Sequence, residues 1–272
     1  MKSSGSYDAS ASHRDAEAEI ERLRVQALLG WEKEARTLAW FGLRDGMSVL
    51  ELGSGPGFVT EQLLDLLPSS VVTALEIDSG LLGRAESHVG HQAGERLRFV
   101  EASIMDTGLP DDSFDFAFAR LIFQHLPDPD GAAKEVYRVL KPGGKLVISD
   151  IDDAVWGLAD PTVPELQMLF HRYAGAQAAQ GGNRYVGRRL WRILEGSGFT
   201  NLDLEAIATH SDASGIAAFE AQIDPDRLIP LVKAGWVSEE EFLRFRASRD
   251  EFLASPRPYV LMLGLLACGE KP

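Results

Sequence analysis

Val49-Leu50-Glu51-Leu52-Gly53-Ser54-Gly55-Pro56-Gly57-Phe58 decides the fold. Ser48 to Leu52 reads as a short strand, and Phe58 to Leu67 as a helix closed by Pro68. Between them lies a loop in which only glycine lets a ligand approach the backbone closely. A dinucleotide fingerprint, GxGxxG, is the obvious comparison. The spacing denies it, because the glycines stand at 53, 55 and 57 and position 58 is Phe. Glu51 argues the same way: a pyrophosphate needs amide donors and tolerates no anion beside it. A phosphate-free ligand carrying an ammonium group suits that carboxylate.

Outward from the loop, strands and helices alternate. Val71 to Ile77, Leu97 to Val100, Phe114 to Ala119 and Lys145 to Ser149 read as strands, with Phe114, Phe116 and Phe118 expected on one face. Leu81 to Val89 and Ala132 to Leu140 read as helices, the second stopped by Lys141-Pro142-Gly143-Gly144. Strands separated by helices imply parallel βαβ units, hence an α/β, doubly wound, mostly parallel sheet. Ligands in such sheets sit beyond the carboxyl ends of the strands. Glu76 lies at such an end, 19 residues after Gly57, where an acidic side chain reaches ribose hydroxyls. Ile77 comes next and suits an adenine face. S-adenosylmethionine is a ligand of the required kind: an amino acid, a sulfonium and an adenosine.

The motifs in order make a resemblance explicit. Glu51-Leu52-Gly53-Ser54-Gly55-Pro56-Gly57 resembles the first motif of class I S-adenosylmethionine-dependent methyltransferases. Ala74-Leu75-Glu76-Ile77-Asp78 resembles their acidic second-strand motif, and Leu109-Pro110-Asp111-Asp112-Ser113-Phe114-Asp115 their entry to strand four. Phe123-Gln124-His125-Leu126-Pro127-Asp128-Pro129 and Arg138-Val139-Leu140-Lys141-Pro142-Gly143-Gly144 resemble the segments after strand four in the small-molecule branch, which includes ubiquinone/menaquinone-type enzymes. The resemblance covers Met47 to Asp150 and implies a seven-stranded Rossmann-like sheet with an N-terminal helical lid and a helical substrate cap. It divides the chain into a tail and lid helix (1–40), a cofactor-binding core (41–150), and a cap with the last strands (151–272).

The resemblance also implies site residues. Gly53, Ser54, Gly55, Gly57, Glu51, Glu76 and Ile77 would hold the cofactor. After strand three the family has an aspartate on the adenine amino group, where this chain has Ser103. Either Ser103 or Asp106 would take that contact, with Ile104 and Met105 flanking the base. Arg120, at the end of strand four, would meet the methionine portion or form a structural salt bridge. Gln124 would lie at the cofactor's edge. His125 is the candidate base, since an imidazole titrates near neutrality, although the same histidine has a structural place in chemically different members. Gln26 in the lid helix would meet the methionine carboxylate, and Tyr7 would belong to the lid. Trp156, Phe170, Tyr173, Asn183 and Tyr185 are candidates for the acceptor pocket, each open to a packing role instead.

The rest of the chain sets limits. Apolar residues from Ala16 to Leu38 recur at helical spacing, reading as one helix. Beyond Asp150 the segments 163–180, 187–194 and 219–252 read as helical, and 202–208 and 259–267 as strands. The 272 residues carry 27 Lys and Arg against 41 Asp and Glu, a net charge of -14, which argues against a duplex nucleic-acid partner. The single cysteine, Cys268, excludes an internal disulfide and a cysteine-based zinc site. No metal constellation, membrane span or secretory signal is read, so the cytoplasm is the expected compartment. The expected reaction is methyl transfer to a small apolar or aromatic acceptor, with a possible homodimer. The alternatives are a non-methylating rearrangement, cyclisation or decarboxylation that keeps the cofactor, and methylation of a macromolecule.

Overall fold

The computed structural model describes Ser6 and residues 16–272. Two N-terminal helices, α1 (Ala16–Leu28) and α2 (Trp31–Trp40), precede the sheet. The single helix expected over 16–38 is broken at Gly30, whose φ is +82° and whose space is closed by Thr209 Cγ2, 2.7 Å from where a Cβ would lie. Only glycine turns the chain there.

The core then alternates: β1 (Ser48–Leu52), α3 (Phe58–Leu66), β2 (Val71–Glu76), α4 (Ser79–Ala93), β3 (Leu97–Glu101), β4 (Phe114–Arg120), α5 (Pro129–Val139) and β5 (Leu140–Asp150). Local chemistry starts the helices. Asp78 caps α4 through the amides of Gly80 and Leu81, and Asp128 caps α5 with Pro129 in its first turn. The cap and last strands come after: β6 (Gly157–Asp160), α6 (Glu165–Ala178), α7 (Leu190–Gly196), β7 (Thr200–His210), the short helices α8 (Ser211–Ser214), α9 (Ala217–Glu220) and α10 (Ile229–Lys233), then α11 (Glu239–Ala254) and β8 (Tyr259–Glu270). The segment expected to be helical over 219–252 is thus three helices, of which the long one starts at a Ser238–Glu241 capping box.

The sheet runs β3-β2-β1-β4-β5-β8-β6, with β7 on the other side of β8. The strands β1 to β5 are parallel, and β8 is antiparallel to β5, β6 and β7. The eighth strand, β6, exceeds the seven expected. It is four residues long and extends the edge of β5 along the first part of β8.

Each face of the sheet is buried. Leu50, Leu52, Ala117, Ile148, Val136 and Leu190 pack on one side, and Val49, Val72, Phe116, Phe118, Leu38 and Leu63 on the other. Phe114 does not share a face with Phe116 and Phe118. A register shift between 114 and 116 sends it to the opposite layer. The cap has a third core, built on Trp156, Leu169, Phe219, Phe245, Phe252 and Val260. Among the described residues no helix is long and apolar enough to cross a membrane.

Candidate functional site

The loop between β1 and α3 sits at the carboxyl edge of the sheet. The amides of Gly53 and Ser54 both donate to the Leu75 carbonyl, at 2.7 and 3.0 Å, which ties the loop to β2. Gly53 has φ +70°, and a Cβ there would lie 2.3 Å from Ile122 Cδ1. Gly57 opens α3, and a Cβ there would press on Ala85 of α4 at 3.0 Å. Gly55 is different: nothing lies within 4 Å of its would-be Cβ. The loop is closed on two sides and open on one. In the same loop, the Ser54 hydroxyl is buried and, among the described residues, has no hydrogen-bond partner, a group that a ligand would complete.

Two buried carboxylates frame this opening. Glu51 is 3 % exposed, and its Oε2 accepts a 2.6 Å bond from the Thr60 hydroxyl. Burial, reinforced by the nearby Glu76 charge, pushes its pKa up to about 8; Thr60 and Arg120 act against that rise. Glu76 accepts from the amides of Ile77 and Asp78 through Oε1 and from Gly55 through Oε2. Its pKa is also raised, chiefly by burial. The acid at the end of β2 therefore grips the glycine loop directly. Ile77, next along, is part-buried.

After β3 the expected adenine wall divides. Ser103 is part-buried; its hydroxyl accepts from the Met105 amide at 3.2 Å, and its carbonyl from the Asp106 amide. Ile104 is buried in the core with Leu52, Leu75 and Phe123, so it packs inward where a flank to the base was expected. Met105 is part-buried against the same cluster, and Asp106 is exposed.

Arg120 takes the salt-bridge alternative. Its Nε donates to Glu34 of α2 at 2.8 Å and its Nη2 to the Gln26 carbonyl at 2.9 Å, while Glu34 also accepts from the Ser149 hydroxyl. These contacts hold the two N-terminal helices over the ends of β4 and β5. Gln26 contributes its backbone to Arg120, and its side-chain oxygen accepts from Arg22 at 3.3 Å. Tyr7 lies outside the described residues. Leu121 adopts φ +58°, a conformation that costs roughly 1–3 kcal/mol for a non-glycine residue. Its amide donates to the Ser149 carbonyl, and the turn it makes brings Ile122 against Gly53.

Gln124 joins the core to the cap. Its amide donates to the buried Asp150, and its carbonyl accepts from the Gln177 side chain and the Asn183 amide. His125 has its Nδ1 3.0 Å from the Ser6 hydroxyl. Burial, then the charges of Arg184 and Arg22, push its pKa down to about 3. An imidazole with so low a pKa is a weak proton acceptor, and the contact seen at His125 is the structural one, with Ser6. Asp150 shows the converse effect: burial lifts its carboxyl to about 7 despite the amides of Ile151, Gln124 and Phe123.

Of the five pocket candidates, Phe170 and Tyr173 line a cavity beneath the cap. Trp156 does not. It is buried against Phe170, with ring centroids 4.7 Å apart, as part of the cap's own core. Asn183 closes a turn through the Tyr185 amide, and Tyr185 lies under Arg188 on the outer surface, 5.2 Å from its guanidinium. Both are corrections to the expected wall. The sequence reading missed Arg184 and Arg227, which lie over the Tyr173 ring at 4.7 and 5.8 Å. It also missed Glu34, the partner of Arg120, whose only sequence signal is a carboxylate on an otherwise apolar helical stripe. Among the described residues no group of three His, Cys, Asp or Glu could hold a metal.

Residues 50–148 match a family described as a methyltransferase domain. The chain is 33 % identical over 140 residues to the ubiquinone/menaquinone biosynthesis C-methyltransferase of Paracoccus denitrificans, covering 50 % of this chain and 52 % of that one. It is 35 % identical over 104 residues to the sterol 24-C-methyltransferase of Aspergillus fumigatus, covering 38 % and 27 %. It thus spans about half or less of the length of these two relatives. Among solved structures, Haemonchus contortus phosphoethanolamine N-methyltransferase 2 with S-adenosyl-L-methionine superposes with a TM-score of 0.58 at 20 % identity, over 89 % of this chain and 53 % of that one. That likeness concerns the fold. Loop, acidic strand end and family match coincide on one segment, residues 50–148, and that segment is similar to the methyltransferase domain of S-adenosylmethionine-dependent enzymes.

Proposed function

We propose that the chain is an enzyme that transfers a methyl group from S-adenosylmethionine to a small acceptor with an apolar or aromatic body. The supporting observation is Glu51. It is a buried carboxylate with a hydroxyl for a partner and a pKa near 8, set beside an open glycine loop and an orphaned Ser54 hydroxyl. Such a group calls for a cation. The residues present fit an amino-acid nucleoside: Glu51 for the ammonium, Ser54 for a polar edge, Glu76 for sugar hydroxyls, Gly55 for close approach. The cofactor, when bound, supplies a methyl group already activated by the sulfonium charge.

The protein's part is position and dryness. Glu76 holds the loop in shape through the Gly55 amide. Arg120, through Glu34 and the end of α1, fixes the helical lid over the strand ends. The cap, linked to the edge by Gln124, excludes water from the reacting pair. Orientation of this kind is worth up to roughly 7–11 kcal/mol in favourable intramolecular cases. His125, whose pKa is pushed down, would be a weak base, and methyl transfer to an acceptor with a free lone pair needs none. The acidic surface suits a small molecule better than a nucleic acid, and the cytoplasm is the compartment proposed.

Calorimetric titration with S-adenosylhomocysteine tests this. Saturable one-site binding is expected, with affinity rising about tenfold per pH unit up to pH 8, because Glu51 must lose its proton to meet an ammonium. Absence of binding at millimolar ligand ends the reading.

A further inference from the structure

A narrow cleft, partly open to solvent, lies between α6, the turn 222–228 and α11. Tyr173, Arg184, Gln222 and Arg227 supply its polar lining, and Leu169 and Phe245 part of its apolar wall. Two arginines line it and a third, Arg22, acts on Arg227 by its charge; Arg22 and Arg184 are matched by carboxylates. Arg22 is paired with Glu19 at 2.7 Å, and Arg184 with Asp153 at 2.5 Å. Arg227 is not so matched. Among the described residues its side chain makes one hydrogen bond, 2.9 Å to the Gln222 carbonyl, and no carboxylate lies within ion-pair distance. Asp224 also lines the cavity, but its Oδ1 is engaged by the Asp226 amide. Burial and the like charges of Arg22 and Arg184 disfavour the charged guanidinium, against the weaker pull of the more distant Glu19 and Asp153 carboxylates.

A second observation points the same way. Gln222 is 9 % exposed, lines the cavity, and has a buried Nε2 without a hydrogen-bond partner among the described residues. The unmet buried group of the lining is therefore a donor, set beside an arginine without a paired carboxylate. An unmatched arginine in a largely apolar cavity is costly unless something negative completes it. Arg184 also reaches to 3.4 Å from Gln124 Oε1, so the cavity adjoins the turn after β4 at the cofactor edge.

We propose that the methyl acceptor is an organic anion whose negative group is held by Arg227 and the Gln222 side-chain amide, with Arg184 beside them and its apolar body on the α6–α11 wall. The proposal names the substrate class of the site described above and rests on that reading. Bidentate guanidinium contact suits a carboxylate or a phosphate.

The test uses the full chain saturated with S-adenosylhomocysteine, and titrates benzoate, phenyl phosphate and the neutral benzamide. At least one anion is expected to bind tenfold or more tighter than benzamide, and which anion does so separates carboxylate from phosphate. Arg227→Met is expected to abolish that preference and Arg227→Lys to keep part of it. Ligand-free Arg227→Met is expected to melt about 2–4 °C higher, since an unmatched charge has been removed; a purely structural arginine would melt lower. Should Arg227→Met not fold, Gln222→Leu keeps every charge and is expected to weaken the preferred anion about threefold. Equal binding of all three probes, no saturation by any of them, or an undiminished preference in the variants overturns the proposal. Failure of S-adenosylhomocysteine itself to bind is a separate result and overturns the cofactor reading instead.

Discussion

The glycine-loop edge and the cap are held together by opposite means. The edge is made of backbone. Leu75 accepts from two loop amides, Glu76 accepts from three amides, and Gly53 has no room for a methyl group. The cap is made of side chains: Asp153 holds Arg184 by two bonds, Asp152 holds Arg188 by two, and Tyr173 lies beneath two guanidinium groups. A backbone cradle suits a ligand that stays constant. A side-chain cradle can be rewritten one residue at a time to take another acceptor.

Substitutions at the two places should therefore fail differently. The largest effect is expected at Gly53→Ala, where a methyl group meets Ile122 in a left-handed backbone. Overpacking and strain together cost about 2–4 kcal/mol in chemical denaturation, and S-adenosylhomocysteine affinity falls 100-fold or more. Next comes Asp153→Ala, which strands the largely buried Arg184 and costs roughly 3 kcal/mol. Calorimetry should show S-adenosylhomocysteine affinity within threefold of the parent chain, and a loss as large as that of Gly53→Ala would erase the contrast.

Glu51→Gln is expected to weaken S-adenosylhomocysteine about 10- to 100-fold and to remove the pH dependence of binding. It carries an opposite sign for stability. A carboxyl whose pKa is raised on folding stabilises below its unfolded value near 4.5, and that contribution is lost as pH rises toward 8. In pH-dependent melting, ligand-free Glu51→Gln should be the more stable protein at pH 8, with the advantage shrinking toward pH 5. The smallest effect is expected at His125→Asn: loss of the Ser6 contact, about 1 kcal/mol, with no new break in a pH–rate profile between 6 and 8. Loss of an acidic limb on substitution would restore the imidazole as a base.

The same contrast decides what could be read from the sequence. The loop, the acid at the end of β2 and the alternation through β5 follow from neighbours within twenty-odd residues, and these were legible. Arg120 was ambiguous because its partner Glu34 lies 86 residues away. Arg184, Gln222 and Arg227 meet only once α6, the 222–228 turn and α11 pack together, and no local period announces them. The break at Gly30 was hidden because apolar spacing continues through it, while the reason for the glycine, Thr209, belongs to β7. Phe114 misled the reading because a register shift is set by the partner strand and leaves the alternation of the letters intact.

β8 has one further consequence. Residues 265–270 pair with β5 in the platform, and 259–262 pair with β6 in the cap. One continuous rod is shared by both halves. A chimaera meant to exchange acceptor preference between relatives must therefore carry its donor sequence through to about position 264. A splice at the end of α11 would leave the transplanted β6 facing a foreign mate, and the graft would lose its register before it met a substrate.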